Sequence, residues 1–138
     1  DLDIITTAVI VPTTLMHMHT LNVRLKNETT KEEVLDLFRK SPRILLVKHG
    51  KRVTSTATIM EMAKDFGRKR SDLQEVVVWE ESVNVVKGKE LFYMQAVHQE
   101  SIVVPDNIDC VRAMMGLTTD GLSSMRKTDE SLGLKKWW

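Results

Sequence analysis

Three strand-like segments follow one another between residues 75 and 97, with no room for a helix between them. Glu75 to Trp79, Ser82 to Val86 and Glu90 to Val97 are rich in β-branched and aromatic residues. Lys87-Gly88-Lys89 joins the last two as a hairpin turn in which Gly88 supplies a positive φ. Strands joined this closely run antiparallel, because a parallel return needs a long crossover. Upstream, Leu21, Val23 and Leu25 alternate with Asn22 and Arg24, and Arg43 to Lys48 form a short apolar strand. Thr30-Lys31-Glu32-Glu33 is a capping box that opens a helix ending near Lys40, with Val34, Leu35, Leu37 and Phe38 as its buried stripe and Ser41-Pro42 as its stop. Ser55 or Thr56 caps a second helix, in which Ile59, Met60, Met62, Ala63 and Phe66 recur at helical spacing. Pro105-Asp106 opens a third through Ile108, Val111, Met114 and Met115. Thr118 to Lys127 adds a helix or irregular turns, and Ser131 to Trp138 has no clear period.

The order β-α-β-α-β-β-β-α predicts an α+β domain: a mixed, largely antiparallel sheet with helices packed on one face, plus a C-terminal helical segment. The best boundary is Val104-Pro105, which divides residues 1–104 from 105–138. A hydrophobic fraction of 42% supports a packed core. No uninterrupted apolar run approaches the roughly 20 residues that a membrane-spanning helix needs. Lys and Arg number 20 against 19 Asp and Glu, so no excess of positive charge argues for nucleic acid. The single cysteine, Cys110, excludes an internal disulfide and a zinc site built on several thiolates, and it fits a reducing cytoplasm.

The amino-terminal part is irregular. Asp1-Leu2-Asp3-Ile4-Ile5 runs straight into strand-like sequence, as if the chain were cut from something longer. Ile4 to Val11 is rich in β-branched residues. Pro12 cannot donate to a sheet ladder, so the stretch from Pro12 to His19 is expected to change strand direction near a sheet end and to aim side chains out of the regular pleat.

His17 and His19 lie in that stretch. In an extended chain both face one side. Two imidazoles there suit general acid–base catalysis, metal binding or anion binding, although His-x-His in a strand is most often structural or superficial. As a metal site the pair is weak, because no third ligand stands at an obvious spacing. Cys110, between Ile108 and Val111 and one turn before Met114, reads as a buried and inert thiol. His98-Gln99-Glu100-Ser101 follows a strand and places polar side chains at its end, where a solvated turn is the ordinary outcome. The glycines are scattered, so there is no GxGxxG phosphate loop. Arg68-Lys69-Arg70 reads as a solvated helix terminus.

Together these segments resemble archaeal-type phosphorylating glyceraldehyde-3-phosphate dehydrogenases. The resemblance is carried by Ala8-Val9-Ile10-Val11-Pro12-Thr13-Thr14-Leu15-Met16-His17-Met18-His19 and by Leu91 to Ser101, with its Gln95-Ala96-Val97-His98-Gln99-Glu100-Ser101 block. Thr30 to Phe38, Ser41-Pro42-Arg43, Trp79-Glu80-Glu81-Ser82, Val104 to Asp109, Arg126-Lys127-Thr128 and Ser131-Leu132-Gly133 match in order. The resemblance implies the C-terminal, catalytic-domain portion of an enzyme whose Rossmann domain binds NAD or NADP, and on which the helical segment 105–138 packs. It implies oxidation of glyceraldehyde 3-phosphate through a cysteine thioester, resolved by inorganic phosphate, in a cytoplasmic homo-oligomer, a tetramer in full-length members. It assigns the acid/base role to His17 or His19, with His17 favoured because it is nearer the Pro12 irregularity, and a nicotinamide contact to Gln99. It gives no metal site.

The departures matter as much. In the family the nucleophilic cysteine, a His-rich phosphate segment, an arginine pair and the Gly-rich loop all precede the portion matched here, and Cys110 stands where relatives usually carry a small residue. These 138 residues alone are therefore expected to be inactive. The alternatives are a stand-alone, non-catalytic association module derived from the same sheet, and a small acid–base enzyme built on the two histidines.

Overall fold

In a computed structural model the chain is described at Thr13 and over residues 15–134. The strand expected over Ile4 to Val11, the break at Pro12 and the end of the tail lie outside the described residues. The elements are β1 (Met16–Arg24), α1 (Lys31–Lys40), β2 (Ile44–Val47), α2 (Thr56–Asp65), β3 (Val76–Trp79), β4 (Asn84–Val86), β5 (Glu90–His98), α3 (Val103–Met114) and α4 (Gly121–Leu132).

The five described strands form one mixed sheet in the order β1-β5-β3-β2, with β4 also paired to β5. β5 is antiparallel to β1, β3 and β4, while β2 and β3 are parallel. The class is α+β, as the run of adjacent strands predicts. The β4–β5 hairpin closes through Lys89 N–H to Val86 C=O at 3.1 Å. Lys87 and Gly88 both take positive φ, 49° and 69°. That pairing is the type I′ geometry whose twist matches a two-residue hairpin.

The helices do not share one face. β2 and β3 are apolar at every position, so the sheet has two sides to cover. α2 covers one with Ile59 and Ala63, against Met16, Leu45, Val47, Val77, Trp79 and Ala96. α1 covers the other with Val34 and Leu35, against Val78, Val83 and Leu91, and Phe38 meets Tyr93 edge-on with ring centroids 5.4 Å apart. The single-face expectation overlooked this continuous apolar run. Both helices start from capping boxes, Thr30 with Glu33 and Ser55 with Thr58. Leu37, expected in the buried stripe of α1, is exposed, because Val34, Leu35 and Phe38 already complete the inward face.

α3 and α4 pair with each other and meet the sheet at the foot of β2. Arg43 is the junction. Its Nη1, Nη2 and Nε donate to Asp106 at 2.8 Å, Asp109 at 2.7 Å and Asp129 at 2.9 Å. Asp109 Oδ1 also accepts from Ser124 Oγ (2.6 Å), Thr128 Oγ1 (2.7 Å) and Arg112 Nη1 (2.8 Å). Desolvation pushes the Asp109 pKa up. The two hydroxyls and the Arg43 guanidinium outweigh it and bring the pKa down to about 2. Burial works against the charge on Arg43 too, but Asp109 and Asp129 raise its pKa beyond the ordinary arginine value.

Arg68-Lys69-Arg70 is not simply a solvated terminus. Arg68 pairs with buried Glu75 at 2.6 Å and donates to Gln74 at 2.7 Å, and Arg70 pairs with Glu100. The chain past α2 turns back on the sheet, which brings these carboxylates within reach.

Candidate active site

Pro12, on which the expected bend was argued, lies outside the described residues; Leu15 has φ 60° immediately before β1, and His17 and His19, expected in a bent stretch, stand within the regular pleat. From Met16 onward the strand is regular and pairs residue by residue with β5. His17 stands opposite Val97, and His19 opposite Gln95. Directly opposed residues in an antiparallel pair share a face. Both imidazoles therefore stand on the α1 side of the sheet, beyond the part packed by α1. Both residues are exposed, and their rings lie nearly parallel, 9° apart in plane with centroids 6.3 Å apart.

The two histidines differ in their surroundings. Gln95 Nε2 lies 3.2 Å from His19 Nδ1. An amide nitrogen only donates, so in this arrangement His19 Nδ1 carries a lone pair and its proton sits on Nε2. His17 has no hydrogen-bond partner among the described residues. Gln95 was missed in the sequence. It is the single amide in the apolar run from Leu91 to Val97, and pairing β1 with β5 would have placed it beside a histidine.

Gln99 lies just past β5. Its N–H donates to Leu15 C=O at 2.7 Å, one step beyond the Met16–His98 pair. The residue is exposed, and its side-chain amide has no partner among the described residues. The fold thus brings Gln99 to the end of the sheet where the histidine strand begins. His98, its neighbour, is fully buried on the opposite face.

Cys110 corrects an expectation. It is exposed, with Sγ 3.9 Å from Met114 Sδ. The inward side of α3 carries Pro105, Asp109 and Arg112, which face the Arg43 junction, so the apolar stripe of Ile108, Val111 and Met114 points outward and carries the thiol with it. Among the described residues no three His, Cys, Asp or Glu side chains are grouped to hold a metal ion, and no helix is long and apolar enough to cross a membrane. A cavity of about 750 Å³ runs along β2 between Arg39, Lys51, Met62 and Phe66, but it includes none of His17, His19 or Gln99. Its lining is mixed in charge.

Fold and site define an α+β sheet domain with an imidazole pair on β1, one of the two terminal strands of the described sheet order. The chain belongs to the glyceraldehyde 3-phosphate dehydrogenase, C-terminal domain family, whose model matches residues 1–82. A glyceraldehyde-3-phosphate dehydrogenase of Methanopyrus kandleri is 54% identical over 134 residues, covering 97% of this chain and 38% of that protein. One of Methanocaldococcus jannaschii is 51% identical over 132 residues, 96% of this chain and 38% of that protein. One of Methanococcus maripaludis is 53% identical over 136 residues, 99% and 39% respectively. The chain therefore spans less than two fifths of the length of these curated relatives.

Proposed function

We propose that this chain is the C-terminal catalytic-domain portion of an NAD- or NADP-dependent phosphorylating glyceraldehyde-3-phosphate dehydrogenase, acting on glyceraldehyde 3-phosphate and inorganic phosphate in a cytoplasmic homo-oligomer, a tetramer. The observation that carries this is the juxtaposition at one end of the sheet: an exposed imidazole, His17 on β1, and an exposed side-chain amide, Gln99 just past the paired strand β5, neither with a hydrogen-bond partner among the described residues.

Attack by the thiol on the aldehyde carbon carries its proton, through a base, onto the carbonyl oxygen, and departure of hydride from the adduct then releases that hydroxyl proton, one proton net. One imidazole with a free lone pair serves both transfers. His17 fits that role. His19, with Nδ1 taken by Gln95, presents an N–H outward, and it serves to bind and orient an anionic or carbonyl oxygen. Gln99 fits a nicotinamide carboxamide, because each amide offers a donor and an acceptor to the other and the Gln99 backbone is already fixed. The nicotinamide, when bound, supplies the hydride acceptor. The nucleophile lies in the part of the longer protein that these residues do not span, since Cys110 sits on the outward side of α3. The 138 residues alone are accordingly inactive. The C-terminal portion, in which α3 and α4 lie, packs on the nucleotide-binding domain, and the exposed apolar side of α3 supports this.

The test is substitution in the full-length protein that carries this chain. His17→Asn should lower kcat about 10²- to 10⁴-fold, the usual worth of a general acid–base group, with the KM for the cofactor little changed. His19→Asn should cost less. Full turnover in His17→Asn, or activity from the 138 residues by themselves, would overturn the reading.

A further inference from the structure

We propose that His98 is the positioning residue for Gln99: its buried imidazole is the hydrogen-bond acceptor around which the Gln99–Glu100 turn is folded, and so it sets the direction of the Gln99 amide. This rests on the reading of Gln99 as the nicotinamide contact.

His98 ends β5 and is 0% exposed. Its Nδ1 accepts from the backbone N–H groups of Glu100 at 3.3 Å and Ser101 at 3.2 Å. An Nδ1 that accepts must carry the lone pair, which puts the ring proton on Nε2. Nε2 has no hydrogen-bond partner among the described residues, and the nearest carboxylate oxygen, Asp72 Oδ1, is 3.8 Å away, too far to bond. Burying a ring with one N–H unanswered costs stability. What His98 provides in return is geometry at Nδ1.

The turn it organises is pinned on every side of Gln99. Before it, the Gln99 N–H is tied to Leu15. After it, Glu100 pairs with Arg70, and Ser101 Oγ both accepts from Leu73 N–H at 3.0 Å and donates to Leu73 C=O at 2.9 Å. Ser101 is itself buried, so without the Nδ1 lone pair its N–H would be stranded and the turn would have to refold. Gln99 is exposed, and its side chain has no hydrogen-bond partner among the described residues, while the backbone on either side of it is tied down. That is what orienting a ring through a single amide requires.

The experiment uses the full-length protein. In His98→Asn the side-chain oxygen falls close to the place of Nδ1 and keeps the acceptor. In His98→Gln the carbonyl lies one bond further out and does not. The expected result is that His98→Asn keeps the KM for the nicotinamide cofactor within about threefold, whereas His98→Gln raises it about tenfold with the KM for the aldehyde unchanged. In a Gln99→Ala background the His98→Gln change should add nothing, because both act through one group. Equal effects of the two His98 variants, or effects that multiply with Gln99→Ala, would overturn the proposal while leaving the reading of Gln99 intact. An unchanged cofactor KM in Gln99→Ala alone would remove that reading and this proposal with it. Should His98→Gln fail to fold, amide exchange in the parent and in His98→Asn decides. Slow exchange at Glu100 and Ser101 in both supports the assigned bonds, and loop-like exchange in the parent overturns them.

Discussion

The sheet and the α3–α4 pair hide opposite kinds of surface. The sheet buries hydrocarbon on both faces: Ile59, Ala63, Val77 and Val83 are fully enclosed. The helical pair turns its charges inward. Asp109, Arg112 and Thr128 are bonded together between the two helices, and Arg43 joins them from the foot of β2, while Ile108, Val111 and Met114 face out. Hydrophobic burial is non-directional and spreads over many contacts, whereas the Arg43 junction concentrates attachment in one guanidinium. One region should therefore unfold as a unit and the other should detach at a point.

Arg43→Ala tests that contrast most strongly. It leaves the Asp109 and Asp129 carboxylates, both largely shielded, without their shared cation. Breaking a buried ion pair from one side costs about 3–5 kcal/mol. The loss should be local: amide exchange in α3 and α4 speeds up while β3 and β5 remain protected. Arg43→Lys should rescue little, because an ammonium cannot reach three carboxylates as the planar fork does. Ile59→Ala, by contrast, should cost about 2–5 kcal/mol across the whole sheet. Uniform loss of protection in Arg43→Ala would erase the distinction between the two regions.

Acid provides a smaller version of the same test. The folded-state pKa of Asp109 is depressed to about 2, below its unfolded value, so its contribution is fully present above about pH 4 and disappears as pH falls toward 2. The shift corresponds to about 2 kcal/mol at most, with the helical pair expected to lose protection before the sheet. Amide exchange followed from pH 5 to pH 2 would show the order, on a pH scale fixed by those pKa values. Simultaneous loss of both regions would count against it.

How much of this was legible in the sequence follows the same division. Strand alternation, the Thr30–Glu33 capping box, the Ser55 cap and the Lys87-Gly88 turn are local signals, and each element among the described residues from β1 to α3 stands within a few residues of its expected place. The helices on both faces were readable in principle from the unbroken Ile44-Leu45-Leu46-Val47 and Val76-Val77-Val78-Trp79 runs. The inward side of α3 was not. Apolar periodicity pointed Cys110 and Val111 at the core, and only the distant Arg43, brought alongside by the fold, explains why the polar stripe won. The site divides likewise: His17 and His19 share a face by period alone, while Gln95 and the role of His98 depend on register and on a turn that no local pattern encodes.

The smallest expected effect is the sharpest test of what the outward face of α3 is for. Met114 is 80% exposed and touches only the Cys110 sulfur among the contacts described, so Met114→Gln should change the stability of the 138-residue chain by no more than about 0.5 kcal/mol. In the longer protein the same substitution places an amide where the helix is proposed to pack on a neighbouring domain. There it should lower the melting temperature measurably, since an amide buried without partners costs about 1–3 kcal/mol. A difference between the two contexts would mark the apolar side of α3 as an interface supplied from outside these residues. Equal, negligible effects in both would mean that this face meets water in the complete protein.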